Sequence, residues 1–378
     1  MKILHLIYTH GISGAEKYLK HLLPGLKAHG IYCDLIVVCP PDKAEILQTY
    51  CNDVNSLGIT TSLIASGRLS FLFTAKKISD YCKDNKIGIL HAHLLNSDLI
   101  AVLAKSVFNK KLFLISTKHG YQEKVLQQYE PDNFYQPNDL YYKVTKYTLR
   151  IIDANFAVSK GLADLYYNIK LSKTPYPYIH HGIAVETFDK AAYYQECRNA
   201  DPQLIIVGRI ELFKGHRFLI EALVKVKAIF PGVKLLVLGE GSEKNNCIQQ
   251  VNALGLQNNV EFLGFKPHPY SYISHSDVII LPSLFEPFGL VYIEAFALKT
   301  PVVAFDTPAG NEIMQHNQTA LLVKKGDSTG LSESIIELLN NAGKKNSITE
   351  NAYAKYKNDF TTGVMVKNTA DWYKNLPL

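Results

Sequence analysis

Short apolar runs rich in β-branched residues alternate with longer stretches of helical spacing along the whole of this 378-residue chain. In the first half the runs span 2–8, 32–38, 59–64, 87–91, 112–117, 154–158 and 176–180, with helical patterns such as 15–29, 71–85, 97–108 and 159–169 between them. A strand covered by helices on both sheet faces reads as a continuous apolar run rather than an alternating one. The regular exchange of the two patterns therefore predicts a doubly wound, parallel α/β sheet. A second series of runs follows a polar stretch, at 203–208, 233–239, 260–264, 278–282, 301–305 and 320–323. Its first helix is marked by Phe218, Leu219, Ala222, Leu223, Val226, Ile229 and Phe230 at helical spacing, and Pro231-Gly232 stops it. The length, too great for one ordinary domain, agrees with two. We expect two Rossmann-like domains, 1–182 and 203–358, a hinge at 183–202, and a C-terminal helix at 359–378 packing back on the first domain. Ligands of such sheets lie outside the carboxyl ends of the strands, so two facing domains would share a central cleft.

Composition narrows the class further. With 47% hydrophobic and 20% charged residues, the chain has the balance of a soluble globular protein. No stretch approaches the roughly 20 apolar residues of a membrane helix. The first run is short and broken by His5, unlike a signal peptide, and a cytoplasmic location is expected. Cys33, Cys39, Cys51, Cys82, Cys197 and Cys247 show neither Cys-x-x-Cys pairing nor zinc-finger spacing, and read as reduced structural thiols. The net charge of +6 is uneven: residues 1–180 hold 21 basic and 14 acidic side chains, residues 181–378 hold 19 and 20. The basic excess of the first half would suit an anionic partner or simply favour solubility. No nucleic-acid-binding module accompanies it, and no nucleic-acid partner is expected.

Three loops carry groups suited to a phosphorylated ligand. Gly11-Ile-Ser-Gly-Ala-Glu16 follows the first strand and opens a helix, where backbone N–H groups attract an anion. Ser13 and Gly14 are its candidates. The spacing is neither a dinucleotide fingerprint nor a P-loop, and a tight turn capped by Ser13 explains it equally well. The second loop, Gly208-Arg-Ile-Glu-Leu-Phe-Lys-Gly215, places Arg209 and Lys214 between glycines at a strand end. A fork-shaped guanidinium and a compact ammonium together neutralise a diphosphate. The third is 281–299, Leu-Pro-Ser-Leu-Phe-Glu-Pro-Phe-Gly-Leu-Val-Tyr-Ile-Glu-Ala-Phe-Ala-Leu-Lys. Glu286 lies in its turn and Glu294 in an otherwise apolar helix, where a carboxylate needs donors such as ribose hydroxyls or an internal cation. The N–H groups of Phe288, Gly289 and Leu290 lie at that helix's N-terminus.

With these motifs in their order, the chain resembles the retaining glycosyltransferases of group 1, which have the GT-B fold, over nearly its full length. Further matches support the resemblance. Lys118-His119-Gly120 resembles the family's His-Asp or His-Gly motif, Ala157-Val-Ser-Lys160 its Val-Ser segment, and Gly239-Glu-Gly241 its Gly-x-Gly. Glu286 and Glu294 match the Glu-x7-Glu pair. There are departures: His180-His181 stands where Pro-Asn is usual, and Thr307-Pro-Ala-Gly-Asn-Glu312 where Gly-Gly-x-Pro-Glu is commoner.

The resemblance implies a nucleotide diphosphate sugar as donor, UDP- or GDP-linked, and a glycan or lipid-linked acceptor in cell-surface polysaccharide assembly. It implies Ser13, Gly14, Gly208, Gly239 and the 288–290 N–H groups as donor contacts. Arg209 and Lys214 would hold the diphosphate, Glu286 the donor sugar, Glu294 the ribose, and His119 would lie near the transferred sugar. The family retains anomeric configuration. His91 and His93 in Leu90-His-Ala-His-Leu94 alternate as metal ligands do, but this string is common in the family and reads as structural. No Asp-x-Asp accompanies a strand end, so neither metal nor cofactor is expected. An epimerase on the same scaffold and a non-catalytic nucleotide-sugar-binding protein are the alternatives. For the acceptor, the Tyr-rich stretch 121–147 is the candidate. The segment 68–77, mixing apolar and cationic residues, suits either an anionic membrane surface or an ordinary amphipathic helix.

Overall fold

A computed structural model describes residues 1–67, 70–122, 137–185, 202–266 and 269–378. Most of the expected hinge, much of the Tyr-rich stretch, Arg68, Leu69 and Cys197 thus lie outside the described residues. The chain divides into two compact units, Met1–Gly182 with Thr362–Leu378, and Ile183–Thr361.

The first unit holds six parallel strands, β1 (Lys2–Tyr8), β2 (Tyr32–Cys39), β3 (Thr60–Ala65), β4 (Ile89–His93), β5 (Phe113–Lys118) and β6 (Ala154–Ala157). Their spatial order is β3-β2-β1-β4-β5-β6, so the winding reverses between β1 and β4. One sheet face buries Ile3, Ile7, Leu35 and Val37 against Leu19, Leu22 and Leu23 of the helix Gly14–Leu26. Met365, Val366, Ala370 and Tyr373 of the C-terminal helix Thr362–Lys374 join the same core. The other face packs Leu4, Leu6 and Leu90 against Ile78 of Phe71–Asp84 and Ile100 of Leu95–Leu103. Each such side chain contributes about 1.5–3 kcal/mol on burial.

Two strand expectations need correction. The run 176–180 forms no strand among the described residues, only a bridge from Tyr178 to Ala157. Pro175 and Pro177 lack N–H donors, which leaves Ala157 bonded to the Pro177 carbonyl and Ile179 to Ala157. The run 87–91 begins its strand two residues later, at Ile89. Ile87 is instead part of the helix terminus: Lys86 takes a left-handed φ of 54°, and the Ile87 N–H reaches back to the Cys82 carbonyl at 2.8 Å.

The second unit repeats the design with β7 (Gln203–Val207), β8 (Lys234–Leu238), β9 (Val260–Gly264), β10 (Val278–Leu281), β11 (Val302–Phe305) and β12 (Leu321–Val323). The order is β12-β11-β10-β7-β8-β9, with the reversal between β7 and β10. Leu204, Ile206, Leu235, Val237, Val278 and Ile280 pack on Leu219, Leu223 and Val226 of the helix His216–Ile229 and on Leu331, Ile335 and Leu338 of Ser328–Asn340. Both sheets therefore have the strand order of a dinucleotide-binding fold, whose ligand crevice opens where the winding reverses.

Candidate active site

At the reversal point of the second unit, the loop after β7 meets the loop after β10. The Leu284 N–H donates to the Phe213 carbonyl at 2.7 Å and stitches the two loops together. Backbone packs on backbone here. A Cβ at Gly215 (φ +73°) would lie 1.9 Å from the Pro282 carbonyl oxygen, and one at Gly239 (φ +143°) 1.9 Å from that of Gly208. Only glycine fits at either place. Held this way, the Lys214 ammonium donates to Oε1 of Glu286, and the Ser283 hydroxyl donates to the same oxygen at 3.0 Å. Both side chains of the ion pair are mostly buried, at 18% and 12% exposure. Oε2 of Glu286 takes neither bond. The Arg209 guanidinium lies 5.5 Å from the Phe213 ring centre on the same loop. Glu211 accepts from the Ser242 hydroxyl at 2.6 Å, which holds its carboxyl below the ordinary range.

Glu294 is buried at 5% exposure on the helix Leu290–Ala297, and the Tyr270 hydroxyl donates to its Oε1 at 3.4 Å. Gly289 precedes that helix with φ 98°, and Phe288 is buried against Phe360. The structure thus brings Gly208, Arg209, Lys214, Gly239 and Glu286 to one end of the sheet.

At the reversal point of the first unit, the helix Gly14–Leu26 starts just after β1. Its Ser13 is committed inward: the backbone N–H and the hydroxyl both donate to Glu16 Oε2 at 2.7 Å. Leu94, immediately after β4, holds φ 73°, a strained value for a branched side chain at this position. His119 follows β5 and belongs to a histidine cluster that parallel register explains. His5 of β1 pairs with His91 of β4, and His93 with Thr117 of β5, so His5, His91, His93 and Thr117 share a face, His119 standing two residues further on. His5 Nδ1 is 3.0 Å from His93 Nε2, and His93 Nδ1 is 3.0 Å from His119 Nε2. His91 bonds separately, to the Tyr373 hydroxyl at 2.6 Å and to Thr117 at 2.7 Å. His181 and Tyr18 close the cluster around the His119 ring. Burial depresses His5 and His119 to about 3, and holds His91, His93 and His181 well below 6.5, so all five are neutral. His5, His91 and His93 offer ring nitrogens within 4.8 Å of one another, the one group among the described residues able to approach a metal ion as three ligands. Both nitrogens of His91 already serve Tyr373 and Thr117. Beside the cluster, Lys118 and Asp98 form a buried ion pair at 2.7 Å, shared with Ser116.

The sequence reading did not single out His5, Ser283 or the Lys118–Asp98 pair. The signal for His5 was present: a polar residue in the middle of the apolar run of β1, in phase with Ile3 and Ile7 on the face shared with His91 and His93.

Two sheets of dinucleotide-binding order in one chain, one with a cation–carboxylate pair at its reversal point, define a GT-B fold. Each half of the chain matches a glycosyltransferase family. Residues 195–355 match the family described as Glycosyl transferases group 1, and residues 12–187 match Glycosyltransferase Family 4. A Campylobacter jejuni relative, N-acetylgalactosamine-N,N'-diacetylbacillosaminyl-diphospho-undecaprenol 4-alpha-N-acetylgalactosaminyltransferase, is 26% identical over 343 residues, 88% of each chain. The Escherichia coli O-antigen biosynthesis glycosyltransferase WclY is 27% identical over 320 residues, 80% of this chain and 83% of its own. Among solved structures, Anabaena HepE in complex with UDP and glucose superposes with a TM-score of 0.80 at 21% identity, covering 100% of both chains. That likeness shows the fold.

Proposed function

We propose that this glycosyltransferase moves a sugar from a nucleoside diphosphate sugar, UDP- or GDP-linked, to a hydroxyl of a cell-surface glycan or its lipid-linked precursor, with retention of configuration and no metal ion. The observation that carries the reading is the Lys214–Glu286–Ser283 arrangement at the reversal point between β7 and β10. Two cations on one tight loop, Arg209 and Lys214, suit the charge that grows on a diphosphate as its bond to the anomeric carbon breaks. Glu286, oriented through Oε1, has Oε2 for a donor-sugar hydroxyl, and Glu294 suits ribose hydroxyls. In the step we propose, the C1–O bond breaks and its electron pair leaves with the diphosphate. The acceptor oxygen bonds to C1 on the same face, and its proton passes to the leaving phosphate oxygen. His119 contributes as an uncharged ring. The C. jejuni and E. coli relatives, named for lipid-linked glycan and O-antigen synthesis, support the acceptor class.

A panel of UDP- and GDP-sugars tests the donor assignment. The right donor at a hundredfold excess over its Kd should raise stability by about 2.7 kcal/mol, read as a shift in Tm. Transfer should then give a product of retained configuration at a rate unchanged by a chelator. An isomerised donor formed without acceptor would replace the reading with an epimerase, and stabilisation without turnover would replace it with a binding protein.

Membrane association is a separate part of the proposal. No helix among the described residues is long and apolar enough to cross a membrane. The helix Phe71–Asp84 leaves Leu72 and Phe73 exposed, at 53% and 62%, with the Lys77 ammonium 4.8 Å from the Phe73 ring centre. Apolar tips among cations suit the surface of an anionic bilayer. The chain should co-sediment with anionic vesicles, less so as salt rises. Binding equal on neutral vesicles, or absent from both, removes this part.

A further inference from the structure

His5, His93 and His119 form an unbroken line of three imidazoles, with ring nitrogens 3.0 Å apart at each of two contacts. Each neutral ring carries one proton on one of two nitrogens. A contact between two ring nitrogens holds only when one proton lies in it, since two lone pairs repel and two N–H groups collide. Three protons serve two contacts, and one is left for an end of the line. Only two arrangements satisfy this. In one, every ring is protonated on Nε2 and the surplus N–H is at His5 Nε2. In the other, every ring is protonated on Nδ1 and the surplus N–H is at His119 Nδ1. The tautomer of His119 is thereby tied to that of His5, a residue two strands away in the order β1-β4-β5.

The two ends are unequal. His5 is fully buried, and its Nε2 has no hydrogen-bond partner. A proton there would be an orphaned donor, costlier than an unused lone pair. His119 Nδ1 is buried as well and also lacks a protein partner, but its residue keeps some exposure and stands just after β5 at the carboxyl end of the sheet, the edge at which ligands of this fold bind. A small turn of this ring beyond the strand lets an arriving oxygen accept from it, which the strand holding His5 does not allow. His91 does not compete for the line, because its two nitrogens are taken by Tyr373 and Thr117.

We propose that His5 and His93 are positioning residues which fix His119 in the Nδ1–H tautomer, so that it meets a substrate oxygen as an uncharged hydrogen-bond donor and not as a base. The catalytic consequence rests on the glycosyltransferase reading; the tautomer does not. Ring-nitrogen NMR of the full chain labelled in histidine, with the signals assigned through His93→Gln and His119→Gln, reads the tautomers in the absence of substrate. We expect Nδ1–H at all three rings in the wild type. His5→Val should leave His93 Nε2 without its donor and give His119 a mixture of tautomers. His5→Asn, whose amide can donate from the position of Nδ1, should restore the single form. With the donor sugar, kcat should fall about tenfold in His5→Val and recover to within about threefold in His5→Asn, the donor KM staying nearly constant. Nε2–H at His119 in the wild type overturns the proposal, whether or not either variant folds. So does an unmixed Nδ1–H signal in a folded His5→Val. A wild-type chain that shows Nδ1–H but transfers no sugar supports the tautomer assignment and removes the transferase reading instead.

Discussion

Replacing Glu286 by alanine lowers the kcat of sugar transfer by well over tenfold while the affinity for free nucleoside diphosphate holds or tightens. The two effects separate because Glu286 has two partners of different kinds. Its Oε1 is occupied by Lys214 and Ser283, and in the proposed donor site this anchoring would aim Oε2 at the donor sugar. Removing the carboxylate removes the oriented acceptor for a sugar hydroxyl, and losses of preorganised polar contacts run to about 10²–10³ in kcat. Lys214, released from its partner, is then free to pair with the diphosphate. Lys214→Ala should do the reverse, weakening nucleoside diphosphate binding and leaving a mostly buried carboxylate unpaired. Glu286→Gln separates charge from shape, since the amide oxygen can still accept one bond. Steady-state transfer, donor hydrolysis and nucleoside diphosphate titration on the three variants, with thermal unfolding to confirm folding, check this. Transfer and hydrolysis both intact in Glu286→Ala would remove Glu286 from the donor site.

This pair also marks where the sequence stops being informative. Arg209, Lys214 and Glu286 could each be picked out because glycines and prolines flank them at the ends of apolar runs, and loops at strand ends are where ligands bind. That Lys214 meets Glu286, 72 residues on, depends on β7 lying beside β10. Strand order is set by how helices pack across a sheet, and no local pattern states it. The strands themselves were readable because burial on both faces demands continuous apolar runs. The run 176–180 misled, since its composition is β-like while Pro175 and Pro177 remove the donors a ladder needs. Ile87 misled for the opposite reason: an apolar residue capping a helix looks the same in sequence as one opening a strand. The histidine cluster was half visible. The alternation of His91 and His93 puts them on one face, but His5 joins them only through the pairing of β1 with β4.

The same cluster makes the first unit acid-labile, and its loss should be readable from a single tryptophan. Five histidines there, His5, His91, His93, His119 and His181, have folded values depressed by burial, against His216, lowered to about 4, in the second unit among the described residues. A histidine free in the unfolded chain titrates near 6.5. Between that value and its folded value the unfolded state binds the proton and the native state does not, so stability falls as pH drops. The stabilisation is complete above about 6.5 and is lost progressively on acidification. With folded values of about 3, His5 and His119 would each remove roughly 2 kcal/mol by pH 5, at about 1.4 kcal/mol per pH unit. Together that is a large part of the 5–15 kcal/mol that holds a typical domain. Carboxylates on the surface are still ionised at pH 5, which sets this loss apart from general acid denaturation. Trp372, the only tryptophan, lies on the C-terminal helix with its ring 4.9 Å from that of Phe156, inside the first unit. Its emission should change between pH 6.5 and 4.5, and hydrogen exchange should show β1, β4 and β5 losing protection before β7 and β10. Trp372 emission and exchange protection both unchanged down to pH 4.5 would mean that these rings accept protons in place, and that the cluster is not held neutral by its burial.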